Sequence, residues 1–99
     1  MEIIKNADGE KLTIALKGRL DAAAAPGFEK ELNTALNGVT DLTIDFKDLE
    51  YVSSAGLRTL LVAQKRMNKQ GSLVIKNVCD EVYEVFDMTG FSDLIEIER

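Results

Sequence analysis

Between Lys11 and Lys17, Leu12, Ile14 and Leu16 fall on one side of the chain and Lys11, Thr13 and Lys17 on the other. That two-residue period predicts a β-strand. A second alternating run covers Met1 to Lys5, and Asp8-Gly9 between the two is a strong turn signal. The pair therefore reads as an antiparallel hairpin. Pro26, after an alanine run, suits the first turn of a helix. Phe28, Leu32, Ala35 and Leu36 continue it at helical spacing, and Asn37-Gly38 ends it. Asp41 to Phe46 reads as a strand with Leu42, Ile44 and Phe46 on one face. A second helix begins near Ser54, carries Leu57, Leu60, Leu61 and Met67 inward, and stops at Gly71. Leu73-Val74-Ile75 is a short, wholly apolar strand, the pattern of a strand covered on both faces. Asp80-Glu81 place acid in the first turn of a third helix, where the macrodipole favours it. Val82, Val85 and Phe86 form its apolar side and Gly90 its end, with Leu94 to Ile97 as a closing strand.

The resulting order is strand, strand, helix, strand, helix, strand, helix, strand. Alternation of helices and strands implies right-handed crossovers and an α/β fold. The expectation is one domain over residues 1–99. Its sheet is mixed and mostly parallel, with an N-terminal antiparallel hairpin and about three helices mainly on one face. The order of the strands is not set by the pattern.

Composition narrows the function. Ninety-nine residues suffice for one domain and a real core. The chain is 45% hydrophobic and 29% charged, the balance of an ordinary globular protein rather than a disordered one. A single cysteine, Cys79, cannot form an internal disulfide. No apolar run reaches the length of a membrane span, and Met1 to Lys5 lacks the features of a signal peptide. A cytoplasmic location is the expectation. The net charge of −5 argues against direct nucleic-acid binding, which needs clustered Lys and Arg. No histidine is present, which removes the commonest general base and zinc ligand. No catalytic residue, metal site or cofactor is expected.

The informative stretch runs from Asp45 to Arg58, where a strand gives way to a short loop and paired serines open a helix. Serine is among the best helix caps, so Ser53 or Ser54 can be read simply as a cap. Two details point further. A helix start after a sheet strand holds an anion well, and a phosphate on Ser54 would meet N–H donors there. Gly56 lies inside the first turn, where glycine costs helix stability. It either leaves the mouth open to a partner or packs closely on the sheet.

In this segment the chain resembles the bacterial anti-sigma-factor antagonists, the founding members of the STAS domain family. Their motif is an apolar strand, a loop, then Asp-Ser-Ser/Thr-Gly-Leu-Gly opening a helix. Ser53-Ser54-Ala55-Gly56-Leu57-Arg58 stands in that place. Gly18-Arg19-Leu20-Asp21 is similar to the family's Gly-x-Leu-Asp, and Phe86-Asp87-Met88-Thr89-Gly90-Phe91 to its Phe-Asp-x-Ser/Thr-Gly-Leu. The likeness covers essentially the whole chain. It implies Ser54, two places before the motif glycine, as the phosphoacceptor, with Ser53 the secondary candidate. Ser53 replaces the family's aspartate, and Arg58 stands where the family usually has glycine. Asp21, Ser53, Ala55, Gly56 and Arg58 are then the implied partner-binding residues, although Asp21 also reads as a plain turn residue. The implied partners are an anti-sigma factor with serine kinase activity and a cognate phosphatase. The unphosphorylated protein would bind the kinase and release the sigma factor, and phosphorylation would end that binding.

Two other readings stand beside this one. Catalysis by a nucleophilic serine needs a base, and none sits in a recognisable motif. Cys79 reads as a buried or helix-start residue, and Asp45 with Asp48 as solvated loop acids rather than a metal pair. The second is a STAS module without phosphorylation, a subunit of a stress-sensing or lipid-transport assembly.

Overall fold

Gly9 and Glu10 form the two-residue tip between β1 (Glu2–Asp8) and β2 (Lys11–Leu20), in a computed structural model that describes residues 1–99. Gly9 has φ 62°, a conformation open to glycine at little cost, so the tight antiparallel hairpin closes as expected. Then follow α1 (Ala25–Ala35), β3 (Asp41–Val52), α2 (Ser54–Gln70), β4 (Ser72–Lys76), α3 (Asp80–Met88), a 3₁₀ turn (Phe91–Asp93) and β5 (Glu96–Ile97). The sheet order is β1-β2-β3-β4-β5, with every pair after the hairpin parallel. Each crossover steps one strand in the same direction. Right-handed connections that all step the same way bring their helices to one face.

That face holds one core. Leu12, Leu42 and Leu73 lie side by side across three strands, and Ile14, Ile44 and Ile75 form the next row. Phe28 and Leu32 of α1, Leu60, Ala63 and Met67 of α2, and Val82 and Phe86 of α3 close over them. Each such side chain contributes roughly 1.5–3 kcal/mol by leaving water. Phe86 also packs on Phe46 and Phe91, with ring centres 6.0 and 5.7 Å away. Helix α2 holds the far end of α1. Arg66 donates to the Asn33 carbonyl, and Gln70 to the carbonyls of Leu36 and Val39. The bond to Asn33 satisfies an acceptor in the last turn of α1, where a helix leaves its carbonyls unpaired.

The opposite face is bare. Thr13, Thr43 and Val74 line up across it, none fully buried. The expectation that β4 is covered on both faces is therefore corrected. Val74 is half-buried only through its neighbours in the sheet.

A second correction concerns β3. The segment after Phe46 is not a loop but six further strand residues, Lys47 to Val52, paired with Lys17–Leu20 of β2. Two register shifts, between Ala15 and Lys17 and between Gly18 and Arg19, give β3 one extra residue each time. Phe46, Leu49 and Val52 are consequently buried at intervals of three rather than two. Such bulges bend a strand and re-aim its side chains. β2 and β3 thus run past the end of β4, whose pairing stops at Asp45 with Lys76. Helix α2 starts from this projecting end. The closing strand is also shorter than expected, because Phe91–Asp93 forms the 3₁₀ turn and Leu94 is exposed.

Candidate functional site

The end of β2 and the start of α2 are bound to each other. The Ser53 N–H donates to the Leu20 carbonyl at 2.8 Å. Ser53 has an extended backbone, φ −86° and ψ 171°, and its Oγ accepts the Gly56 N–H at 3.1 Å. Its own carbonyl accepts the Leu57 N–H at 2.9 Å. Ser53 is therefore the N-cap. Ser54 is the first residue of α2 and is exposed, its hydroxyl not used for capping.

Gly56 has a packing reason to be glycine. It is buried, and a Cβ there would lie 2.7 Å from Leu20 Cγ and 2.8 Å from the Leu20 carbonyl oxygen. Of the two readings of this residue, the close approach to the sheet is the one the geometry favours. Gly56 sets the depth of the helix start from below rather than offering surface above it.

Arg58 is exposed, one turn beyond Ser54. With Ala55 and Thr59 it lines a shallow groove of about 170 Å³, whose other wall is Ala22, Ala25, Pro26 and Glu29. Arg58 makes no ion pair. The two ion pairs of the molecule join Lys5 to Glu31 and Arg99 to Asp80. Helix α2 itself contains Arg58, Lys65, Arg66 and Lys69 and no acidic residue.

Asp21 follows Leu20 directly. Its Oδ1 accepts the Ala24 N–H at 2.9 Å, and its carbonyl accepts the Ala24 and Ala25 N–H groups. It builds the turn into α1 and borders a neighbouring depression with Arg19 and Glu50. Sequence reasoning missed Tyr51 and Arg19. The Arg19 guanidinium lies 4.2 Å from the centre of the Tyr51 ring, and Tyr51 is 39% exposed beside the serines. The bulges that break the two-residue period hide which way Tyr51 faces. Asp45, by contrast, is held at the strand rather than in a loop, accepting from the Lys47 N–H and from Asn77 Nδ2. Cys79 is half-buried at the start of α3 and makes no capping bond.

The geometry thus brings exposed Ser54 and Arg58 and half-buried Ser53 and Ala55 onto one rim, with Gly56 beneath it and Asp21 next to it. The family model described as "Mlab, STAS domain" matches residues 3–96. The chain belongs to the STAS domain family. Among the relatives of this STAS domain is the anti-sigma-B factor antagonist of Listeria monocytogenes. It is 33% identical over 99 residues, covering 97% of this chain and 86% of its own. Among solved structures, a putative anti-sigma factor antagonist from Thermotoga maritima superposes with a TM-score of 0.86 at 16% identity, covering 98% of this chain and 86% of its own. The Bacillus cell fate determinant SpoIIAA in the phosphorylated form superposes with a TM-score of 0.76 at 21% identity, over 97% and 90% of the two chains. This STAS domain has no helix long and apolar enough to cross a membrane.

Proposed function

We infer that this STAS domain is an anti-sigma factor antagonist that works by partner exchange. Its unphosphorylated form binds an anti-sigma factor and so frees the sigma factor. Phosphorylation of Ser54 by that partner, acting as a serine kinase in the cytoplasm, ends the binding, and a phosphatase restores it. The observation that carries this reading is the division of labour between the paired serines. Ser53 is spent on the helix cap, and Ser54 presents an exposed hydroxyl on the same turn. The relatives named as anti-sigma-B factor antagonists support it.

The physical basis is a difference in solvation. A phosphoserine carries nearly two negative charges at neutral pH. On the free protein it faces water at a helix start, where negative charge is favoured. Against a docked partner the same charge is stripped of water and is costly unless paired. The docking surface comprises Ser53, Ser54, Ala55 and Arg58, flanked by Asp21 and supported by Gly56.

The test uses the cognate anti-sigma factor. Ser54→Asp is expected to weaken its binding by about tenfold or more, and Ser54→Ala to leave it intact while blocking phosphorylation. Titration calorimetry reads the first and mass spectrometry of protein from its own cells the second. Equal affinity of the two variants, with no phosphate on Ser54 in the cell, would refute the switch.

A further inference from the structure

We propose that Arg58 clamps the phosphate carried by Ser54, so that modification both adds charge to the docking surface and withdraws its one unpaired guanidinium from the partner. The proposal rests on Ser54 being the phosphoacceptor. Ser54 and Arg58 stand four residues apart on α2, both exposed, so their Cβ atoms lie about 6 Å apart on the same side of the helix. An acid N-terminal to a base at this spacing is the favourable order. A phosphate offers three acceptor oxygens, and a guanidinium can meet two of them at once.

The surroundings leave Arg58 available. It has no ion pair, whereas the nearby Arg19 is stacked on Tyr51. Glu29 of α1 is the carboxylate sharing its groove, and it does not engage Arg58. Asp21 and Glu50 border the adjacent depression together with Arg19. No other acid competes from α2, and its cap is the neutral Ser53. Both departures from the family motif, serine for aspartate at 53 and arginine for glycine at 58, move the charge around Ser54 in the positive direction.

The measurement needs no partner. Phosphoserine is installed at position 54 of the full chain by an expanded genetic code, and the phosphate is titrated by phosphorus NMR. A free phosphoserine titrates near 6. The clamp predicts a lower midpoint in the native sequence, and a rise of about 0.3 unit or more, roughly twofold in proton affinity, in Arg58→Gln. The Arg58 Nε–H signal is expected to shift with the same midpoint as the phosphate. Identical midpoints in the two proteins, or an Arg58 signal indifferent to the titration, overturn the clamp. That result is separate from the switch itself, which fails instead if Ser54 carries no phosphate in cells.

Discussion

Helices α2 and α3 both leave the same end of the sheet from a capping residue with an extended backbone, Ser53 at φ −86° and Cys79 at φ −72°. Beyond that they differ at nearly every position of the first turns. Ser53 donates no charge but caps, while Cys79 makes no capping bond. The next residues are Ser54, Ala55 and Gly56 in α2, against Asp80, Glu81 and Val82 in α3. Two places further, Arg58 stands opposite Glu84 in the alignment of the two helices. Helix α3 already answers its own macrodipole with carboxylates. Helix α2 carries none: small residues fill its first three positions, and a cation follows one turn after Ser54. The comparison teaches where an added anion belongs on this fold: it gains at α2 and would meet repulsion at α3.

The largest expected effect comes from making α2 resemble α3 at its third position. Val82 is seated in the core there, while Gly56 is pressed against Leu20. Gly56→Val places its Cβ 2.7 Å from Leu20 Cγ and 2.8 Å from a backbone oxygen that cannot rotate away. Overpacking of this kind costs about 1–3 kcal/mol, and a valine sits at the upper end of that range. Urea unfolding is the measurement. An unchanged midpoint would mean that the two helix starts differ in sequence but not in their seating on the sheet.

The caps sharpen the comparison at a smaller scale. Ser53→Ala removes the oxygen that accepts the Gly56 N–H, a loss of about 1 kcal/mol. Cys79→Ser supplies a capping hydroxyl where none acts now and is expected to gain up to about 1 kcal/mol. The two substitutions should move the urea midpoint in opposite directions. A shift of the same sign for both would show that Cys79 already serves its helix as well as Ser53 serves α2.

These contrasts also explain what could be read from the sequence alone. The element order, the hairpin and the one-sided placement of the helices were legible, because period and turn chemistry are local. The path from Phe46 to Val52 was not. Its two bulges change the burial interval from two residues to three, so a strand reads as a loop. Covering of β4 was misjudged because Val74 is apolar yet lies on the bare face, beside Thr43. Ser53 and Ser54 are equally good caps by residue type. Only the hydrogen bond to Gly56 tells which one is left facing outward. The groove beside Arg58 was hidden for another reason. Its far wall, Ala22 in the turn before α1 and Ala25, Pro26 and Glu29 in α1, is brought there by packing between helices, which leaves no local pattern.

The smallest expected effect is also the most specific to charge. Ala55 occupies the second position of α2, as Glu81 does in α3, and it lies three residues before Arg58 on the same groove. Ala55→Glu copies the acidic start of α3 into α2. Unmodified protein should gain a few tenths of a kcal/mol from the dipole and from the new pair with Arg58. Glu81→Gln should lose a similar amount from α3, and both changes should shrink in high salt, because exposed charges are screened within about 10 Å at 0.1 M. In the Ser54-phosphorylated protein the sign reverses for Ala55→Glu. The new carboxylate then repels the phosphate and competes for the same guanidinium, so the modified form is destabilised relative to the unmodified one. Thermal melts of the four species, each in low and high salt, measure that reversal. If Ala55→Glu stabilised both forms alike, the acid-free start of α2 would have no bearing on how the domain tolerates a phosphate placed at Ser54.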